Sequence, residues 1–309
     1  MIRFTKCEDN RIVWTMNTTE RAGRHGTALM VAGGAVLGTV GLFVERAGQP
    51  AFTAVWFRCA FGAGALGLWG MLRKRNGELW LRGRALAAAV ATGVLMTANW
   101  ALFFAALERT SIAVATVVFH VQPVWVMAAG VLWLGEPFSR VRAIATALAL
   151  AGLVLATGLL EEHGAVSVRY VVGLGMCLAA SLAYAGVTLI AKTVTQVSSF
   201  ALAWWQCVVG AMALAWWPLL HGFPAFGTAW GWLAGLGVIH TGLAYVLLYA
   251  GMGLLPASRI AVLQFVYPAC AVAMDWLVYD RALSTGQMAG VLLIGVAQFM
   301  RVNRARGAR

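Results

Sequence analysis

The chain has 309 residues, 61% of them hydrophobic and 11% charged, with a formal net charge of +12 and a mean hydropathy of +0.79. Soluble domains are roughly 45 to 50% apolar with Gly counted and about 25% charged, so the composition excludes a soluble globular enzyme, and with only 7 Pro it excludes a collagen-like chain too. A polytopic membrane protein remains. The isoelectric point near 10.3 would suit a nucleic-acid partner, but Lys and Arg lie in short polar gaps between apolar runs, where they set membrane topology, so no nucleic-acid partner is expected.

Residues 1–26 are polar, carry Arg3, Lys6, Arg11, Arg21 and Arg24 and contain no apolar core of a signal peptide, which predicts a cytoplasmic segment with no cleaved leader; Met16 is an alternative start. About 20 apolar residues cross a bilayer. That ruler predicts spans at 27–45, 52–72, 85–107, 110–134 and 142–160, an external linker at 161–169, then spans at 170–191, 199–220, 229–250, 256–279 and 285–302. Residues 303–309 form a basic tail. With the N-terminus inside, eighteen of the 23 basic residues fall on the cytoplasmic side, four fall outside, and Arg58 alone lies within a span. Both termini are therefore expected in the cytoplasm. In the first span Gly33, Gly34, Gly38 and Gly41 predict close helix packing. The cysteines show neither metal-site nor disulfide spacing, and no cofactor motif is visible.

Two segments repeat. Phe52 to Leu66 (FTAVWFRCAFGAGAL) and Phe200 to Leu214 (FALAWWQCVVGAMAL) share seven of fifteen residues, and the runs from Ser111 (SIAVATVVFHVQPVW) and Pro256 (PASRIAVLQFVYPAC) align Pro123 with Pro268, with Ser139 and Ser284 matched downstream. The repeats are five spans apart, and an odd number of spans makes the halves, 27–160 and 170–302, inverted. The expected fold class is an all-α polytopic membrane protein of ten transmembrane helices in two inverted five-helix repeats. Such folds hold substrate near the bilayer midplane between the repeats and rock one half against the other.

The run GLAYVLLYAGMGLLPASRIAVLQFVYPA from Gly242 resembles the signature of the drug/metabolite transporter superfamily, in its ten-span EamA-type group. NWALFFAALERTSIAVATVVFHVQPVW, LWLGEPFS and Arg58 resemble the first-half pattern. Within the group the chain looks most like bacterial aromatic amino acid exporters. One departure is that Gly135–Glu136 after the fourth span is answered by Asp280–Arg281 in the second half, with the acid shifted by one position. The resemblance implies a multi-pass protein of the bacterial inner membrane that moves a small molecule, as a monomer or weak dimer.

Polar side chains in mid-span are costly and mark a pathway by default, with interhelical glue as the alternative. His120, Gln264 and Tyr267 are the leading substrate-binding candidates, followed by Asn99, Gln122 and Tyr245. Thr116, His120 and Met127 are expected on one face of the fourth span. Trp100 and Trp205 lie deep enough to offer aromatic faces, which favour flat apolar groups and ammonium. Pro123 and Pro268 each remove a backbone hydrogen bond in mid-helix and are gating candidates, packing being the other reading. Arg58 is expected to snorkel outward or to pair with Glu45 or Asp275, the carboxylate of a substrate being the remaining partner open to it.

Together with these residues, the resemblance implies export of amino acids, aromatic and other neutral ones, by facilitated or weakly proton-coupled transport. The alternatives are a carrier of lipophilic drugs or other metabolites and, more remotely, an intramembrane hydrolase, which lacks a Gly-x-Ser-x-Gly elbow here.

Overall fold

A computed structural model of the chain describes residues 9–107, 109–110, 112–157, 167–279 and 284–300. Among them every regular element is helical. Among the described residues eight helices are long and apolar enough to cross a membrane: α1 (Arg21–Ala47), α2 (Ala51–Leu72), α3 (Gly83–Ala106), α4 (Val114–Leu132), α6 (Val168–Thr193), α7 (Ser199–His221), α8 (Thr228–Gly253) and α9 (Ala257–Met274). At the places expected for the fifth and tenth spans stand two shorter helices, α5 (Arg140–Ala156) and α10 (Thr285–Phe299). At 1.5 Å per residue these reach only about 26 and 23 Å, less than the ~30 Å of a hydrocarbon core. The boundary expected at residue 27 is not a helix start, because the helix that becomes α1 already begins at Asp9.

Local sequence explains where the helices stop. Gly48 adopts the left-handed conformation at φ 58° and its N–H reaches back to the carbonyls of Val44 and Glu45, closing α1 before Pro50. Ser139 and Ser284, matched in the repeat, are the N-caps of α5 and α10, the second with Gln287 in a capping box. α4 breaks at His120–Val121, between Ile112–Phe119 and Gln122–Leu132. α9 breaks at Gln264–Phe265, between Ala257–Leu263 and Val266–Tyr279. In each case a proline follows within four residues, where its missing N–H and its ring oppose a continuous helix. α1 breaks at Thr39, whose hydroxyl donates to the Val36 carbonyl at 2.8 Å.

The helix pairs form an exchange-related set. α3 packs on α6 and α8 on α1; α2 packs on α8 and α7 on α3; α1 packs on α9 and α6 on α4. Each of these pairings turns into its companion when helix n is replaced by its counterpart five helices away. The pairs α2–α7 and α5–α10 map onto themselves. At α2–α7 a Cβ on Gly210 would meet the Cys59 sulfur at 2.7 Å, and one on Gly62 would meet the Cys207 sulfur at 2.9 Å. Cys59 and Cys207 occupy matched places in the repeat, as do Gly62 and Gly210, so each half uses its cysteine to fill the gap left by the other's glycine.

Of the α1 glycines, Gly33, Gly34 and Gly38 admit α8 and α9. A Cβ on Gly38 would lie 2.4 Å from the Cys270 Cβ, whereas Gly41 meets nothing. The largest core cluster joins α1, α2, α3, α6, α7, α8 and α9, while α5 and α10 pair in a smaller cluster that includes Val117, Val262 and Phe265. Outside, Leu72, Leu182 and Leu292 are exposed, as side chains facing lipid tails are.

Candidate functional site: an aromatic cavity and a polar latch

A cavity of about 190 Å³ lies between the two halves, walled by α1, α2, α3, α4, α6, α8 and α9. The helix breaks shape it: His120 at the α4 break and Gln264 at the α9 break both line it. Seven of the eight side chains expected to meet substrate are in the wall: His120, Gln122, Gln264, Tyr267, Asn99, Trp100 and Tyr245. Trp205 is not. Its indole N–H donates to the Leu79 carbonyl at 3.1 Å, fastening the α2–α3 connection to α7. Met127 is also absent from the wall, because the α4 break ends the face that Thr116 and His120 share.

Several wall groups also act as interhelical glue. Gln122 and Gln264 both donate to the Thr188 hydroxyl, at 3.2 and 3.1 Å, and Asn99 donates to the Ala180 carbonyl at 2.8 Å. The Nδ1 of His120 stands 2.6 Å from the Thr116 carbonyl. A carbonyl only accepts, so Nδ1 holds the proton of the neutral ring and Nε2 is left as an acceptor. The His120 and Tyr267 rings lie near-parallel, 5.9 Å apart. Phe103, Phe104, Phe119 and Tyr184 complete an aromatic wall, with Tyr184 stacked on Phe119 at 5.9 Å. Sequence reasoning passed over Tyr184; its signal was a tyrosine in mid-span.

Arg58 is the cation of the cavity wall, and only 8% of it is exposed. It neither snorkels nor pairs with Glu45, which is exposed on the surface. The side chain of Asp275, the other expected partner, lies outside the described residues. Arg58 instead sets its guanidinium 4.5 Å above the Trp100 ring and donates from Nε to the Thr241 hydroxyl at 2.8 Å. Among the described residues its two Nη groups meet no acceptor. The physical reason is that α8 presents a hydroxyl at this depth and no carboxylate.

At the other end of the bundle the charges are matched. Glu136, after α4, accepts from Lys192 of α6 at 3.0 Å and from the Ala257 backbone N–H of α9 at 3.0 Å. Lys192 also donates to the Leu255 carbonyl at 3.2 Å, and Arg142 of α5 donates to the Ser258 hydroxyl. These bonds tie the first half to the second. Val126, Ala185 and Ala257 form a small apolar cluster that joins α4, α6 and α9. The Val40, Val44, Phe103, Phe104 and Thr116 part of the wall extends toward the opposite end.

A cavity at broken helices between paired halves suits a carrier. The EamA-like transporter family model matches the chain twice, over residues 24–158 and 171–302. The chain belongs to the EamA-like transporter family. It is a multi-pass membrane protein and a membrane transporter of that family. This EamA-like chain is 27% identical over 285 residues to the uncharacterized transporter YxxF of Bacillus subtilis, covering 90% of this chain and 89% of that one. It is also 27% identical over 280 residues to an uncharacterized transporter of Archaeoglobus fulgidus, covering 89% and 96%. One solved crystal structure shares its fold with a TM-score of 0.77 at 18% identity, over 88% of this chain and 95% of that one.

Proposed function

We propose that this transporter exports aromatic and other neutral amino acids across the bacterial inner membrane by alternating access between two inverted five-helix repeats. It crosses the bilayer ten times, with both termini in the cytoplasm and α5 and α10 as its shortest spans. The observation that carries the reading is Arg58: a buried guanidinium whose Nη groups reach no acceptor among the described residues, in a wall of aromatic, aliphatic and uncharged polar side chains. A substrate carboxylate satisfies those donors as a charge-assisted pair. Tyr267, Tyr184, Phe103 and Phe104 offer faces to an aromatic side chain, and His120 Nε2 offers an acceptor to an ammonium.

The cavity volume of about 190 Å³ falls below the ~300–1,000 Å³ of drug-sized sites, which favours a single small metabolite over a lipophilic drug. In this reading the Glu136–Lys192 latch lies on the cytoplasmic side and holds that side of the bundle shut. The exchange-related packing supports the repeat. Pro123 and Pro268, each beside a helix break, then serve as the points about which α4 and α9 bend.

The test is counterflow in proteoliposomes. Labelled phenylalanine is expected to accumulate against internal phenylalanine, tyrosine or tryptophan, and weakly against lysine or glutamate. Absence of counterflow with every neutral amino acid, or equal exchange with a bulky lipophilic cation, overturns the proposal. Uptake driven uphill by a pH gradient would replace facilitated with proton-coupled transport.

A further inference from the structure

α8 does not cross the bundle as a regular helix. Residues Leu236–Leu243 form a π-helical segment, and such segments recur at functional sites. An extra residue in the turn rotates everything after it by about 100°. The segment is pressed onto α2 at the turn that bears Arg58: a Cβ on Gly237 would lie 2.4 Å from the Phe61 Cβ and 2.9 Å from the Arg58 carbonyl.

Thr241 sits in this segment. Its hydroxyl donates to the Leu236 carbonyl five residues back, at 2.9 Å. A hydroxyl has one proton to give, so toward Arg58 the same oxygen can only accept, and it takes the Nε–H at 2.8 Å. Thr241 is fully buried and is not part of the cavity wall. One edge of the guanidinium is thus fixed by Thr241 and one face by Trp100. The edge that remains carries the Nη groups. The neighbouring residue, His240, extends the same segment to the α1 break, with Nε2 at 2.8 Å from the Thr39 hydroxyl.

We infer that Thr241 is a positioning residue for the carboxylate site. The π-helical turn of α8 presents an accept-only hydroxyl that orients Arg58 so that its Nη edge faces substrate. The role rests on the reading of Arg58 as the carboxylate-binding group. Without the hydroxyl the guanidinium is free to turn, so no single edge is held ready for a carboxylate while the charge and the cavity persist.

The test compares binding of L-phenylalanine with that of L-phenylalaninamide, which lacks the carboxylate, to purified full-length protein. It also follows the Arg58 Nε–H signal in 15N-arginine-labelled protein in nanodiscs, identified by its loss in Arg58→Gln. In the wild type phenylalanine is preferred and the Nε–H is protected from exchange with water. Thr241→Val is expected to lower the preference about 3- to 10-fold, to leave amide binding unchanged and to remove the protection. Thr241→Ser, which restores the hydroxyl, is expected to recover both.

The inference is overturned if Thr241→Val keeps preference and protection, if Thr241→Ser behaves like Thr241→Val, or if both ligands weaken together, which is the mark of a packing role. If Arg58→Gln leaves the preference for phenylalanine intact, the carboxylate reading fails instead. The exchange measurement then still decides whether Thr241 holds Arg58.

Discussion

Two arginine- and lysine-bearing regions of the bundle handle charge in opposite ways. At the latch, Lys192 and Glu136 form an ion pair at 3.0 Å with side chains 17% and 16% exposed; the Ala257 N–H adds a second bond to Glu136 Oε1 and the Leu255 carbonyl a second acceptor for Lys192, while Glu136 Oε2 is buried without a partner among the described residues. In the cavity, Arg58 is held by a hydroxyl and an indole face, and among the described residues no carboxylate comes near it. A paired charge holds two elements together. A buried charge oriented without a counter-ion leaves donors that a ligand acceptor can satisfy, which is the role proposed for Arg58. The latch therefore joins the two halves, and the cavity presents the arginine on which the proposed function rests.

The largest expected effect sharpens the cavity side. Arg58→Gln removes a charge-assisted contact and is expected to weaken phenylalanine binding about 10- to 100-fold, with little change in thermal melting, since no internal ion pair is broken. A melting loss as large as the binding loss would make Arg58 a structural group.

The second test addresses the latch. Removing one partner of a buried pair strands the other, at about 3–5 kcal/mol when burial is complete. For this partly exposed pair, Lys192→Met is expected to cost on the order of 2 kcal/mol, read by denaturation in detergent. Adding Glu136→Gln should return part of the loss, because no lone charge is left; an additive double variant would show that the two groups do not interact.

A third substitution separates depth from function. Trp205→Phe removes one hydrogen bond to the Leu79 carbonyl, worth about 1 kcal/mol. It is expected to leave ligand preference untouched, whereas Trp100→Leu is expected to disturb it.

The smallest effect concerns the surface. Arg75 and Glu78 pair at 2.5 Å between α2 and α3, and the hydrogen bond from Arg75 holds the Glu78 carboxyl below its ordinary range. A lowered folded-state value means that the pair contributes above the ordinary carboxylate range and that this contribution is lost as pH falls through the lowered value. Glu78→Gln should flatten stability against pH in the acid range by less than about 1 kcal/mol, measured as melting temperature from pH 7 to 3. An unchanged pH profile would remove Glu78 from the comparison.

Long apolar runs made eight spans legible, because length and hydropathy are properties of the chain alone. The short helices α5 and α10 were harder to place: Arg140 and Arg142 stand at the start of one, and residues 301–309, beyond the other, lie outside the described residues. Pro123 and Pro268 marked the helix breaks, since a missing N–H acts wherever the helix sits. Mid-span polarity singled out His120, Gln264 and Tyr267, which line the cavity. Depth singled out Trp205, which does not, because depth along a helix says nothing about which way a side chain faces around it. Mid-span polarity also left Thr188 unnoticed, although its hydroxyl accepts from both Gln122 and Gln264.

The sequence by itself determined that this chain spans a membrane, where most of its helices run, and which few polar groups are buried within them. Those outcomes follow from transfer free energy and helical rise, which act locally. Only the tertiary structure decided what each polar group meets. Arg58 faces Thr241 rather than Glu45 because a π-helical turn rotates α8 and Gly237 lets it close onto α2. Such contacts depend on the rotation and approach of helices distant in sequence, which no local pattern encodes.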